Sequence, residues 1–218
     1  NALYALEGKM PSKQQLAEEA IFIEQKLIGE NVGCQDQVHA SYGGLNVIEF
    51  SSTGISVKPV VISKEKYDYL NDSLMVFYTG LTRFASEIVK EQIKNTKTCS
   101  KDAYLERMHQ MVFDAEKIIS GDKPEEMVRN LGGLLHESWQ LKKCLSSQIT
   151  SDLIDDIYNK ATQAGACGGK LAGAGGGGFL FFLTPKDKQE AVRKALEGLL
   201  EVTFKFENDG SKIIYLTH

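Results

Sequence analysis

The sequence predicts an α+β fold in which helices pack on a mainly antiparallel sheet. Apolar residues recur at helical spacing over residues 12–28, which predicts a long amphipathic helix. The last third of the chain has the order helix, glycine-rich loop, strand, helix, strand, strand. The segment "NDG" at 208–210 is typical of a hairpin turn, here between the two closing strands. Together these patterns favour an antiparallel sheet covered by helices.

Hydrophobic period and turn residues predict the individual elements. Ser12 and Gln15 have capping-box spacing at the start of the first long helix. Further helices are expected near 82–95, 101–119, 123–147, 151–164 and 186–200. Strands are expected at 45–50, 55–62, 73–80, 179–183, 202–207 and 212–217. Pro59 indicates that the second of these strands lies at a sheet edge, because proline donates no ladder hydrogen bond.

Composition and charge limit the classes of partner. The 218 residues are 42% hydrophobic, which is enough for a sizeable core. With a net charge of -4, the chain lacks the excess of basic residues that is typical of nucleic-acid-binding proteins. No apolar run approaches the ~18 residues of a membrane span. The four cysteines are scattered and form no CxxC pair, which is typical of free thiols in a reducing cytosol. The sequence therefore predicts a cytoplasmic protein without a nucleic-acid or membrane partner.

Glycine makes up eight of the fourteen residues at 165–178, directly before an apolar run. Gly173, Gly175 and Gly178 fit the pattern G-x-G-x-x-G, but a dinucleotide fingerprint follows a strand and opens a helix. Here a predicted helix precedes the loop and a predicted strand follows it, which is the reverse order. A Walker A loop is also excluded, because leucine follows Lys170 where serine or threonine is required. Backbone N–H groups in such a loop suit an anion, and Lys170 adds charge, so a phosphate or substrate loop is favoured over a structural turn.

Glu24 lies near the centre of the apolar arc of the helix predicted at 12–28. An isolated buried carboxylate costs several kcal/mol, so Glu24 must be paired, protonated or bound to a metal ion. The alternative is that only one end of the helix is covered, which leaves Glu24 in a cleft or paired with a distant basic residue. The helical wheel alone does not separate these interpretations.

Asp36 follows in the glycine-rich stretch "GENVGCQDQVHASYGG" (29–44), at a predicted junction between a helix and a strand. Gln35 and Gln37 flank it. Such a junction presents a carboxylate to a pocket on rigid supports. The alternative is that Asp36 caps the next helical turn.

Arg83, His136 and Trp139 are further candidates for contact with a substrate. Arginine suits bidentate phosphate contact, although an exposed arginine at a helix start is an equally good interpretation of Arg83. His136 falls away from the apolar arc of its helix and Trp139 lies on the flank. This placement favours the surface for His136 and the core for Trp139.

Several stretches resemble the GHMP kinases. "KLAGAGGGGF" (170–179) resembles the third, C-terminal motif of that family, and "GENVGCQDQ" (29–37) resembles the galactokinase-type segment with the catalytic aspartate. "GGLNVIEF" (43–50), "VFYTGLTRFAS" (76–86) and "LGGLLHESWQLKK" (131–143) are similar to stretches of the D-glycero-D-manno-heptose 7-phosphate kinases. The resemblance covers nearly the whole chain. L-fucose kinases carry a similar "QDQ" segment, so the sugar is less well defined than the family.

The resemblance implies two lobes with the site between them. The first, at 1–63, is the remainder of an N-terminal lobe like ribosomal protein S5, and the second, at 64–218, is ferredoxin-like. By position, Asp36 matches the general base and Glu24 matches the magnesium-binding glutamate. Substrate contacts are expected at Gly33, Gln35, Gln37, Gly43, Gly44 and Arg83. The phosphate loop is expected at Lys170, Gly173, Gly175, Gly176, Gly177 and Gly178.

The implied function is an ATP-dependent sugar kinase, or its C-terminal two thirds, which phosphorylates the anomeric hydroxyl of a heptose phosphate with Mg²⁺. The family's first two motifs, including the glycine-serine loop that cradles ATP, precede the helix with which this chain opens, so we expect that part to lie outside it. The alternatives are an L-fucose or galactose-type sugar kinase and a non-catalytic sugar-binding fragment. The expected partners are ATP and a small-molecule sugar phosphate, and a homodimer is left open.

Overall fold

The computed structural model describes residues 1–81, 90–91, 93–96, 101–146 and 148–215. The chain divides into two compact units. Unit 1 contains Asn1–Val60 and the C-terminal residues from Lys205 onwards, and unit 2 contains Val61–Phe204. The resemblance implies a boundary between two lobes after residue 63, and that boundary stays a prediction. None of the helices in the described ranges combines the length and apolarity needed to cross a membrane.

Unit 1 consists of three helices and a two-stranded antiparallel sheet. The helices are α1 (Ala2–Leu6), α2 (Lys13–Phe22), which continues into a π-helical segment (Ile23–Ile28), and α3 (Gln35–Tyr42). The strands are β1 (Asn46–Ser51) and β2 (Gly54–Pro59), with Asn46 opposite Pro59 and Ser51 opposite Gly54. The predicted strands at 45–50 and 55–62 are thereby confirmed to within a few residues.

The long helix predicted at 12–28 is confirmed, but its second half is not α-helical. Ser12 Oγ accepts a hydrogen bond from the backbone N–H of Gln15 at 3.0 Å, as the capping spacing predicts. From Ile23 onwards the turns are π-helical, and wider turns move side chains off the α-helical wheel. Leu27 and Ile28 are therefore exposed, although the apolar spacing predicted for 12–28 would place both on the buried side of an α-helix.

The stretch 29–44 lies between a helix and a strand, as predicted, but it also contains a helix that was not predicted, α3 at residues 35–42. The helix is anchored by three buried residues, Gln37, Val38 and Ser41. Asp36 lies in its first turn, while the N-cap position is held by Cys34, whose side chain makes no capping hydrogen bond. The alternative interpretation, in which Asp36 caps this helical turn, is therefore wrong.

The closing hairpin predicted at 202–217 is wrong. Within the described residues, no strand follows β6 (Leu200–Glu201), and residues 207–211 instead contact the turn after α3. The N–H of Gly44 donates to the carbonyl of Glu207 at 2.7 Å. A Cβ at Gly43 would lie 2.2 Å from the nitrogen of Gly210, so two glycines permit this close approach of backbones.

Unit 2 is an antiparallel sheet with helices, as the sequence predicts. Its helices are α4 (Lys64–Ser73), α5 (Asp102–Gly121), α6 (Pro124–Lys143), α7 (Asp152–Gln163) and α8 (Lys186–Ala195). Its strands are β3 (Leu74–Tyr78), β4 (Gly168–Leu171), β5 (Phe179–Leu183) and β6, in the spatial order β4-β5-β3-β6. The helix expected near 82–95 lies largely outside the described residues.

The core of unit 2 lies between the sheet and the helices. Phe77 of β3 and Phe182 of β5 pack with Trp139 and Tyr158, and all four are buried. The expectation that Trp139 belongs to the core is confirmed. His136 is exposed, as expected, and its Nδ1 lies 2.9 Å from the hydroxyl of Tyr158.

Two elements of unit 2 were not predicted, α4 and β4. The start of α4 does carry a sequence signal, because Ser63 Oγ accepts from the N–H of Lys66 at 3.3 Å. The strand β4 has the sequence "GGKL", in which glycine weakens the propensity for a strand. Its glycines are explained by packing, since a Cβ at Gly168 would lie 2.0 Å from the carbonyl oxygen of Gly132 in α6.

The loop between β4 and β5 is held by backbone and side-chain hydrogen bonds. The N–H of Gly176 donates to the carbonyl of Ile149 at 2.8 Å, and that of Gly178 donates to Leu81 at 2.9 Å. Buried Thr79 donates from its hydroxyl to the carbonyl of Gly178 at 2.8 Å. The loop is thus an ordered connection and not a flexible linker.

The contact of Gly210 with the α3–β1 turn yields a stability prediction. Gly210→Ala should lower the free energy of unfolding of unit 1 more than Gly8→Ala does. The two glycines have similar backbone angles, with φ of +65° at Gly210 and +69° at Gly8. The left-handed backbone costs alanine about 1–2 kcal/mol at either position. Only at Gly210 would the new Cβ clash, at 2.5 Å from the Ser41 carbonyl oxygen, which adds about 1–3 kcal/mol. Equal losses in chemical denaturation would contradict this.

The anchor of the glycine loop yields a second prediction. Thr79→Val removes the hydroxyl that bonds Gly178 and should destabilise unit 2 by about 1 kcal/mol. It should also speed amide hydrogen exchange at Gly178. Thr184→Val is the matched control, because Thr184 is also buried but its hydroxyl has no hydrogen-bond partner within the described ranges. We expect that control to be neutral or stabilising. If both variants lose the same stability, the hydroxyl of Thr79 is not an anchor.

Candidate active site

A pocket of about 480 Å³ lies within unit 1. The walls come from α2, the π-helical segment, α3 and the C-terminal residues. Polar side chains in the wall belong to Asn1, Glu24, Asp36, Gln37, Ser41 and Ser211. The two carboxylates singled out by the sequence, Glu24 and Asp36, therefore line the same cavity.

Glu24 is held by a side chain of the neighbouring helix. It lies at the start of the π-helical segment, and the amide nitrogen of Gln37 donates a hydrogen bond to its Oε2. Its other carboxylate oxygen, Oε1, has no hydrogen-bond partner among the described residues. Glu24 is half-buried and paired through an amide rather than through a basic residue. This arrangement leaves one oxygen for a ligand in the pocket.

Asp36 lies one residue before Gln37, in the first turn of α3. Its side chain is exposed and has no hydrogen-bond or ion-pair partner among the described residues. An unpaired carboxylate in a pocket is free to accept a proton from a bound hydroxyl group. The two acidic residues thus differ: Glu24 is anchored, whereas Asp36 is not.

The predicted substrate residues fall into three groups. Gly33 and Gln37 line the pocket with the two carboxylates. Gln35 is exposed and lies outside the pocket wall, and Gly43 and Gly44 contact the C-terminal residues 207–210. Arg83 lies outside the described residues. Substrate contact at each of these positions stays a prediction.

The glycine loop of unit 2 offers unused backbone donors. The N–H groups of Gly176 and Gly178 are engaged, as described above. Those of Gly173, Ala174, Gly175 and Gly177 have no acceptor among the described residues. A run of free N–H groups with glycines of positive φ is typical of an anion-binding concavity.

Lys170 lies in strand β4 and not in the loop itself, which corrects its predicted placement. Its side chain is part-buried, and burial lowers the pKa of its ammonium group. In the described part of the chain the ammonium group has no hydrogen-bond or ion-pair partner. An anion nearby would therefore stabilise its charged form.

No group of three or more histidine, cysteine, aspartate or glutamate side chains is placed to hold a metal ion, as far as the described residues extend. A metal ion in the unit 1 pocket would depend on Glu24 and on oxygens of the ligand itself.

The sequence analysis did not identify the pocket residues Asn1 and Ser211, which lie far from Glu24 and Asp36 in the sequence. Ser211 lines the pocket, and its hydroxyl accepts a hydrogen bond from the amide of Asn1 at 3.0 Å. No local pattern marks either residue, because Asn1 and Ser211 are 210 positions apart in the chain. Ser41 carried a weak signal as the residue one helical turn after Gln37.

Comparison with known proteins identifies relatives of this chain. Residues 125–201 match the family of GHMP kinases at its C-terminal domain. The D-glycero-alpha-D-manno-heptose 7-phosphate kinase of Campylobacter jejuni is 33% identical over 206 residues, which are 91% of this chain and 58% of that protein. A bifunctional fucokinase/GDP-fucose pyrophosphorylase of Arabidopsis thaliana is 27% identical over 209 residues, 90% of this chain and 19% of that protein.

A solved structure shows the same fold. The D-glycero-D-manno-heptose 1-phosphate kinase from Bacteroides thetaiotaomicron has a TM-score of 0.62 and 24% identity, over 98% of this chain and 60% of that chain. The chain thus spans less than two thirds of the length of these relatives. It carries a GHMP kinase C-terminal domain at residues 125–201, within an α+β fold that it shares with the GHMP kinases.

Proposed function

We propose that the protein is an ATP-dependent sugar kinase that phosphorylates the anomeric hydroxyl of a heptose phosphate. The observation that carries this proposal is the unit 1 pocket, in which an anchored glutamate and an unpaired aspartate line one cavity. The Campylobacter jejuni relative, by its name a heptose 7-phosphate kinase, supports the choice of sugar.

Asp36 acts as the general base. As the anomeric oxygen attacks the γ-phosphorus of ATP, its proton passes to the carboxylate of Asp36. The new O–P bond forms while the bond from the γ-phosphorus to the bridging oxygen breaks, and ADP leaves with that electron pair. Because Asp36 has no partner among the described residues, no ion pair has to break before it accepts the proton.

A magnesium ion would be held by Glu24. Mg²⁺ is usually held by one or two carboxylates together with substrate phosphates, and one oxygen of Glu24 has no partner among the described residues. When bound, the ion neutralises negative charge on the phosphates. Glu24 contributes by presenting that oxygen in a direction fixed by Gln37.

The glycine loop binds phosphate oxygens of the substrate through its free N–H groups. Gly173, Gly175 and Gly177 supply donors, and Gly176 and Gly178 fix the shape of the loop by their own hydrogen bonds. Lys170, in strand β4 just before the loop, adds positive charge. Such preorganised donors contribute most of the catalysis in phosphoryl transfer.

The test is Asp36→Asn in the full-length protein, assayed with ATP, Mg²⁺ and D-glycero-D-manno-heptose 7-phosphate. We expect kcat to fall by ~10²-fold or more, the usual scale for the loss of a general base. Asp102→Asn is the matched control, because Asp102 is likewise an exposed aspartate in the first turn of a helix, α5. Its kcat should not change.

Full activity of Asp36→Asn would end the assignment of the base.

The same assay distinguishes between the candidate sugars, because the fucokinase relative suggests L-fucose as the competing substrate. We expect a higher kcat/KM for the heptose phosphate. A higher value for L-fucose would keep the kinase proposal but replace its substrate.

A further inference from the structure

We infer that Gln37 is a positioning residue that orients the carboxylate of Glu24 toward a divalent cation in the unit 1 pocket. This inference rests on the proposed function, in which Glu24 holds Mg²⁺. It concerns the amide of Gln37 and its bond to Glu24, and not a contact of Gln37 with the sugar.

The contact joins two separate elements of unit 1. Glu24 belongs to the π-helical segment and Gln37 to α3, thirteen residues later. The amide nitrogen of Gln37 donates to Oε2 of Glu24. A hydrogen bond to a charged acceptor is stronger than one between neutral groups, so it restricts rotation of the carboxylate.

The direction of the amide is fixed by charge. If the amide were turned round, its carbonyl oxygen would face the carboxylate of Glu24, and the two negative ends would repel. With the nitrogen toward Glu24, Oε1 of Gln37 is buried and has no hydrogen-bond partner among the residues that the structure describes. The amide nitrogen of Gln37 therefore faces Glu24, although this orientation leaves the amide oxygen of Gln37 without a hydrogen bond among the described residues.

That unsatisfied oxygen indicates more than a packing role. Gln37 is only 8% exposed, and a buried acceptor without a partner destabilises the fold. A methionine of similar length would fill the same space without this penalty. The amide at this position is thus explained by what its nitrogen does for Glu24.

Gln37 is itself held rigidly. Val38, the next residue, is completely buried, and the hydroxyl of Ser41 donates to the backbone carbonyl of Gln37 at 2.9 Å. Since its helix is anchored, Gln37 fixes which oxygen of Glu24 is occupied and leaves Oε1 for a cation. Residues behind a metal ligand commonly orient it in this way.

The experiment measures cation binding without turnover. Mn²⁺ binding to the full-length protein is followed by electron paramagnetic resonance in the presence of ADP, for the wild type and for Gln37→Met. We expect the Kd for Mn²⁺ to rise by about tenfold or more, the usual effect of losing a partner of a metal ligand. Thermal unfolding of each variant checks that the fold is intact.

Gln14→Met is the matched control. Gln14 also donates from its amide to a glutamate, Glu18, at 2.8 Å, but on the exposed face of α2. Its loss should leave the Kd for Mn²⁺ unchanged. A tenfold rise in this control as well would overturn the inference, since any lost glutamine–glutamate bond would then have the same effect.

A double variant separates positioning from packing. Once Glu24→Gln has removed the ligand, adding Gln37→Met should raise the Kd no further, because the two side chains act as one unit. Additive effects of the two changes would mean that Gln37 acts independently of Glu24 and would overturn the inference.

Failure of the inference and failure of the proposed function give different results. If Glu24→Gln weakens Mn²⁺ binding and a folded Gln37→Met does not, the positioning role is wrong while the metal ligand stands. If Glu24→Gln leaves Mn²⁺ binding unchanged, the magnesium site of the proposed function is wrong, and the inference falls with it. If Gln37→Met does not fold, Gln37→Leu provides the same comparison.

Discussion

A hydrogen bond from the amide of Gln37 to the carboxylate of Glu24 connects two of the elements that line the pocket, α3 and the π-helical segment. Asp36 precedes Gln37 directly, so the anchoring that holds the amide in place also sets the position of the backbone that carries the base. The two acidic residues are thereby supported by one helix, α3, although they belong to different elements. The chemistry proposed for this pocket depends on that shared support.

The pocket also depends on chain segments that are far apart in sequence. Residues 207–211 contact the turn after α3, where Gly43 and Gly210 allow the backbones to approach. This contact brings Ser211 to the pocket wall, where it meets the amide of Asn1. Gly43 and Gly210 therefore serve packing, whereas four residues of the unit 2 loop keep backbone N–H donors that have no acceptor in the part of the chain that the structure describes.

The sequence predicted the elements that have a regular period and missed those defined by contacts. The cap at Ser12 and the buried Trp139 follow from spacing and amphipathicity, and Glu24 and Asp36 were placed by pattern and resemblance. The strand β4 was missed because its glycines reflect packing against Gly132 of α6. The closing strands were predicted wrongly because an alternating apolar pattern does not reveal whether a partner strand is available. Ser211 carried no local signal at all.

The central claim is that Asp36 removes the proton from the hydroxyl group that is phosphorylated. The most direct measurement is the distance from its carboxylate to the anomeric oxygen, in a crystal structure of the full-length protein with heptose 7-phosphate and a non-hydrolysable ATP analogue. A general base requires about 2.6–3.2 Å between these atoms, or one bridging water, and this is the result that the account predicts. An anomeric oxygen bound beyond the reach of Asp36, next to a different base, would contradict it.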